Sequence, residues 1–84
     1  MGQKEKLMER VKSRPRNLTF EEMATLLGYL GYTIDNKGRT SGSRIMFVNE
    51  GFLRIILHKP HPQKELKMYQ VNQIVDMLEK EGLL

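Results

Sequence analysis

The sequence predicts a small α+β domain: a three-stranded antiparallel meander with helices packed on one face, in the order α-α-β-β-β-α. Three observations carry this expectation. Apolar residues recur at helical spacing in three segments, near 3–13, 19–30 and 68–80. Two β-favouring runs, about 43–48 and 52–58, flank Asn49-Glu50-Gly51, which reads as a hairpin joint. Eighty-four residues leave room for one core under one sheet, because a chain this short buries only about 60–65 % of its unfolded surface.

In the first segment Leu7, Met8 and Val11 fall on one side of a helix, and Arg14-Pro15-Arg16 stops it because proline cannot continue the hydrogen-bond ladder. The second helix is announced by Thr19-Phe20-Glu21-Glu22, a capping box in which Thr19 serves the Glu22 amide and Glu22 reaches back. Leu18 and Met23 are spaced for the accompanying hydrophobic staple. Phe20, Met23, Ala24, Leu27 and Leu30 form the core stripe, and Gly31 sits where a left-handed residue ends the helix. Residues 1–16 read as a helical extension and 17–84 as the domain proper.

Tyr32 to Asp35 is a short first strand, followed by the polar, glycine-rich loop 36–42. Asn-Glu-Gly suits a three-residue hairpin loop closed by a left-handed glycine. In that register Val48 pairs with Phe52, Met46 with Arg54 and Arg44 with Ile56. Ile45, Phe47, Leu53, Ile55 and Leu57 then face the core. Arg44, Met46, Val48, Phe52, Arg54, Ile56 and His58 share the open face. A two-residue turn mixes arginine with the apolar residues, so the first register segregates the faces better. Lys59-Pro60-His61-Pro62 breaks the strand. The last helix spans Met68 to Lys80 with Val71, Ile74, Val75 and Leu78 as its buried stripe; Gly82 ends it and Leu83-Leu84 tuck back.

Composition narrows the function classes. The chain has no cysteine, hence no disulfide and no thiolate ligand or nucleophile. No apolar run approaches the roughly 18–20 residues needed to cross a bilayer, and MGQKEKLMER lacks the apolar core of a signal peptide. A soluble cytoplasmic protein without membrane contact is the expectation. The net charge of +4 and a pI of about 9.6 favour a polyanionic partner. No phosphate-binding loop, dinucleotide fingerprint, nucleophile triad or zinc spacing is present, so neither metal nor cofactor is expected.

Three groups of residues carry possible chemistry. Lys37, Arg39, Arg44 and Arg54 lie on or beside the open sheet face, where arginine forks match phosphate oxygens and stack on bases; the same residues equally suit a solvated face. Lys59, Lys64 and Lys67 converge on the start of the last helix, where free amides favour an anion; an ordinary solvated loop reads the same way. His58 and His61 are the two histidines. RNA is cut without a metal when its own 2′-hydroxyl attacks the neighbouring phosphate. That reaction needs a base, an acid and cations, and histidine can do the proton transfers. With Arg44 diagonal to His58 across the hairpin, such a set is possible. His61 between two prolines also suits a purely structural hydrogen bond.

From Thr19 to Leu84 the sequence resembles the HicA toxins of prokaryotic toxin–antitoxin systems. The carrying features are LLGYLGYTI (Leu26 to Ile34), the loop ending Gly42-Ser43, the hairpin, and HPQKELKMYQVNQIVDMLEKEGLL from His61 to the end. The resemblance implies a fold related to double-stranded-RNA-binding domains, cleavage of mRNA, and silencing by a HicB antitoxin. Ser43, beside Arg44 at the end of the loop, is counted with the expected RNA contacts. The family's catalytic histidine directly follows Gly-Ser; here that position is Arg44. Arginine cannot act as general base, so catalysis would fall to His58 or His61 with Arg44 holding the phosphate. Three readings follow: an RNA endonuclease, an RNA-binding module that does not cut, and a protein-interaction subunit whose half-apolar open face is covered by a partner.

Overall fold

A computed structural model describes residues 2–35 and 44–84. The order is α1 (Gln3–Lys12), α2 (Phe20–Tyr29), β1 (Thr33–Ile34), β2 (Arg44–Val48), β3 (Ile55–His58) and α3 (Met68–Lys80). The strands form one antiparallel sheet in the order β1-β2-β3. This is the expected α-α-β-β-β-α meander. The expected Lys37, Arg39 and Ser43 contacts lie outside the described residues.

The helix ends follow from local sequence. The Thr19 hydroxyl accepts from the Glu22 amide at 3.1 Å, and the Glu22 carboxylate accepts from the Thr19 amide at 3.1 Å, completing the capping box. At the other end of α2, Gly31 adopts φ +101. The Tyr32 and Gly31 amides then donate to the Leu27 and Gly28 carbonyls at 2.9 and 3.1 Å, a Schellman closure. A side chain at Gly31 would also press on the Asn49 amide group, 3.3 Å from where its Cβ would lie. α3 closes in the same way: Leu83 donates to Leu78 and Gly82 to Glu79, which turns Leu83 and Leu84 back onto the core. α1 ends on Arg14, a non-glycine residue at φ 54. Its guanidinium bonds Asn72 at 3.1 Å, Glu79 at 3.2 Å and also Asp76, holding the end of α1 against α3.

The core joins all three helices to the sheet. Val11 of α1, Met23, Leu26 and Leu27 of α2, and Val71, Val75 and Leu78 of α3 are fully buried above Phe47, Ile55 and Leu57 of the strands. Burying one such aliphatic side chain contributes about 1.5–3 kcal/mol. Phe20 packs on Phe47 with ring centroids 6.3 Å apart, tying the first turn of α2 to the middle of β2.

The hairpin departs from its expected register. Arg44 pairs with His58, Ile45 with Leu57, Met46 with Ile56 and Phe47 with Ile55. The strands are thus offset by two residues from the Val48–Phe52 pairing that a three-residue loop would set. Tertiary hydrogen bonds explain the longer connection. The Asn49 side-chain amide donates to the Leu30 carbonyl at 3.1 Å, and the Tyr32 hydroxyl donates to the Leu53 carbonyl at 3.3 Å. Burial, then the charge of Glu81, pushes the Tyr32 hydroxyl up, so it stays a protonated donor. Between these anchors the chain turns at Asn49–Phe52, with the Phe52 amide donating to the Asn49 carbonyl at 3.0 Å and Gly51 at φ +84. A two-residue offset is even, so the faces are kept: Ile45, Phe47, Ile55 and Leu57 still turn inward. Leu53 is the exception, 64 % exposed in the connection rather than in the core. β1 is also shorter than its expected span, Thr33–Ile34 instead of Tyr32–Asp35.

The Arg10 guanidinium donates to Glu22 at 2.6 Å, linking α1 to the first turn of α2. Arg10, and after it the Thr19 amide, holds the Glu22 carboxyl below its ordinary range. Glu22 therefore stabilises the fold fully above its unfolded pKa, and the contribution is lost as pH falls through its lower folded value. The pair is partly exposed, so its worth is about 1 kcal/mol or less. Thermal melts of wild type and Glu22→Gln should differ at pH 7 and converge as pH drops below about 4. A constant difference down to pH 2 would remove the ion pair from the account.

Candidate nucleic-acid interface

The two-residue offset rebuilds the open end of the hairpin. Arg44 and His58 are directly opposite rather than diagonal, which sets their Cα atoms about 4.5–5.5 Å apart. Both are exposed. Arg54 no longer shares this end. It precedes β3, four residues from His58, which places it about 13 Å away along an extended chain.

Beyond His58 the chain leaves the sheet through Lys59 and Pro60 and returns to α3. A cleft of about 320 Å³ opens there, lined by His58, His61, Lys67 and Tyr69 together with Pro60, Gln63 and Gln70. Gln70 shapes it. This residue is only 8 % exposed; its carbonyl oxygen accepts from the Lys67 amide at 3.0 Å and its amide nitrogen donates to the His58 carbonyl at 3.4 Å. One side chain thereby fixes the start of α3 against the end of β3. No acidic residue lies in the first turn of α3, so Lys67 and the free amides there meet no carboxylate of that turn.

The three lysines do not converge as the sequence predicts. Lys67 stands at the start of α3, whereas Lys59 and Lys64 turn to the start of α2. The Phe20 amide donates to the Lys64 carbonyl at 3.1 Å, the Leu66 amide donates to the Leu18 carbonyl at 2.8 Å, and Lys59 Nζ lies 5.8 Å from the Phe20 ring centroid. Lys59 and Lys64 line a small hollow of about 50 Å³ with Phe20, Glu21 and Pro60. The bridge between Thr19 and Glu65 causes this placement. It joins two segments far apart in sequence and leaves no periodic trace in either.

Pro60 belongs to both this hollow and the cleft. His58, Tyr69 and Gln70 belong to the cleft and to a further hollow of about 70 Å³ reaching Ile56, Gln73 and Ile74. Two adjoining depressions thus follow the β3–α3 edge, one imidazole-lined and one amide-lined and apolar, and past Pro60 a third, lined by Lys59, Lys64 and Glu21, lies at the start of α2. Tyr69, Gln70 and Gln73 are the residues that sequence reasoning missed. The available signal was Tyr69, an aromatic side chain off the buried stripe of its helix.

Among the described residues, no helix is long and apolar enough to cross a membrane. No curated protein and no solved structure matches the chain significantly. Residues 20–83 match the family model of the HicA toxin of bacterial toxin–antitoxin systems. The match runs from the first residue of α2 almost to the end, so it takes in the whole sheet, α3 and the cleft, while α1 lies outside it. The chain belongs to the HicA toxin family.

Proposed function

We propose that this toxin binds RNA along the β3–α3 edge and blocks translation by cutting mRNA in the cytoplasm. The observation that carries the reading is a cleft that brings His58, His61 and Lys67 together, with Arg44 paired directly opposite His58 in the neighbouring strand. In the reaction the RNA 2′-oxygen bonds to the adjacent phosphorus while one histidine takes its proton. The bond from phosphorus to the 5′-oxygen breaks, and the other histidine supplies the proton to that leaving oxygen. Arg44 and Lys67 stabilise the charge that gathers on the phosphorane. Arg54 falls outside this set; Lys59 and Lys64 extend the phosphate contacts past Pro60. Neither metal nor cofactor takes part.

A HicB-like antitoxin is the proposed silencing partner. The open face carries Met46, Val48 and Ile56, and beside it Phe52 and Leu53 are exposed. Covering it would shield this apolar surface and shut the neighbouring hairpin end.

A second reading has its own support. Arg44 occupies the place where the family's catalytic histidine is expected, and an arginine grips phosphate without moving protons. In that case the same edge binds RNA and leaves it intact.

One purified preparation separates the two. RNA affinity should fall with salt, because each phosphate contact releases counterions. Four contacts, from Arg44, Lys59, Lys64 and Lys67, give a slope near −3 and a loss of about 50-fold between 50 and 200 mM salt. Salt-sensitive binding with product formation supports the nuclease; the same binding with intact RNA supports the second reading. An affinity indifferent to salt, or no binding at low salt, rules out both.

A further inference from the structure

We infer that Tyr69 is a nucleobase platform, and that the site therefore takes single-stranded RNA. The inference rests on the RNA reading of the cleft and adds to it the recognition of the base. Tyr69 is the second residue of α3 and is 57 % exposed, whereas Val71, Ile74, Val75 and Leu78 of the same helix are buried and Met68 and Met77 half-buried. Its ring serves neither the core nor a capping bond. It stands between the cleft that holds His58, His61 and Lys67 and the hollow that reaches Ile56 and Gln73.

A nucleotide has the same two-part character. Its phosphate suits the cationic, imidazole-lined side, and its base suits an aromatic face with an amide beside it. The second hollow, about 70 Å³, is less than a quarter of the cleft's volume of about 320 Å³. A depression that small is a shelf beside the ring, so the base lies on the tyrosine ring rather than in a pocket. The Gln73 amide lines the same hollow and offers both a donor and an acceptor to the base edge. A base can lie on this ring only when it is unstacked. In a duplex the bases are stacked and proteins meet mainly phosphates and 2′-hydroxyls. The fold is of the double-stranded-RNA-binding kind, yet this edge selects an unpaired segment.

The chain contains no tryptophan, so Tyr69→Trp introduces a single fluorescent reporter at the site. The probe is a 2′-O-methyl RNA 12-mer, which lacks the attacking hydroxyl and cannot be cut by this route, offered as a single strand and as a duplex. Saturable quenching by the single strand and none by the duplex is expected. Fluorescence anisotropy of the labelled single strand should show Tyr69→Ala losing about 5- to 150-fold in affinity, the usual range for one aromatic–base stack. Tyr69→Phe should keep wild-type affinity, and all variants should melt with wild type because the side chain is exposed. Binding by anisotropy without quenching would put Tyr69 off the RNA path and overturn the inference while leaving the RNA reading intact. Equal quenching by the duplex overturns the single-strand preference. If wild type binds neither probe, the RNA reading fails and the inference with it.

Discussion

Replacing His58 by alanine should lower the rate of RNA cleavage by about 10²–10⁴-fold, the usual loss when a proton-transfer group is removed. RNA affinity should change far less, because arginine and lysines supply the phosphate contacts. The fold should be untouched: His58 is exposed at the end of β3, and it is its backbone carbonyl, not its side chain, that accepts the bond from the Gln70 amide. His61→Ala should show a loss of similar size, since acid and base serve one reaction. The double variant should be scarcely slower than either single one, because groups that act as a unit are not additive. Single-turnover rates with a labelled RNA, read beside binding and melting curves, separate these effects. A His58→Ala protein that cuts at the wild-type rate would move the chemistry elsewhere.

Leu57→Ala should have the largest effect on stability, about 2–5 kcal/mol, from lost burial and the cavity left behind. Leu57 is 2 % exposed and lies opposite Ile45 in the sheet. A domain of this size has total stability of about 4–12 kcal/mol, so this one change removes a large part of it. The melting temperature should fall by more than about 10 °C. The neighbouring Ile56 points the other way and is 40 % exposed. Ile56→Ala should cost well under the Leu57 value, about 1 kcal/mol or less. Urea melts of the two variants test the face assignment directly. Equal losses at both positions would contradict the observed sheet.

The parts of this fold that were legible in the sequence are those set by neighbours in the chain. Thr19 and Glu22 lie one turn apart, so their capping box is written in four residues. Gly31 and Gly82 mark helix ends by their own conformational freedom, and α3 spans the expected Met68–Lys80. The even spacing of Ile45, Phe47, Ile55 and Leu57 identified the core face even though the register was offset. The register itself was hidden because it is held from outside the hairpin. Asn49 is tied to Leu30 and Leu53 to Tyr32, across 19 and 21 residues, and no local rule for a hairpin loop contains those bonds.

The geometry of the candidate site was legible only in part. His58 and His61 stood out as the two histidines of the sequence, and both line one cleft. The lysines were grouped by their nearness in sequence, but the Thr19–Glu65 bridge parts Lys59 and Lys64 from Lys67. Tyr69 went unread because a single exposed aromatic has no period. Its meaning comes from the two depressions that meet beside it, which exist only once β3 and α3 are packed together.

The most direct test of the proposed chemistry is the structure of the RNA ends. Purified toxin, freed from any antitoxin and held in a chelator, is incubated with a 5′-labelled single-stranded RNA, and the products are resolved by mass spectrometry. Attack by the RNA's own 2′-hydroxyl, served by His58 and His61, predicts fragments ending in a 2′,3′-cyclic phosphate and a new 5′-hydroxyl. RNA that is bound yet stays intact, or fragments that carry a 5′-phosphate, would contradict the account.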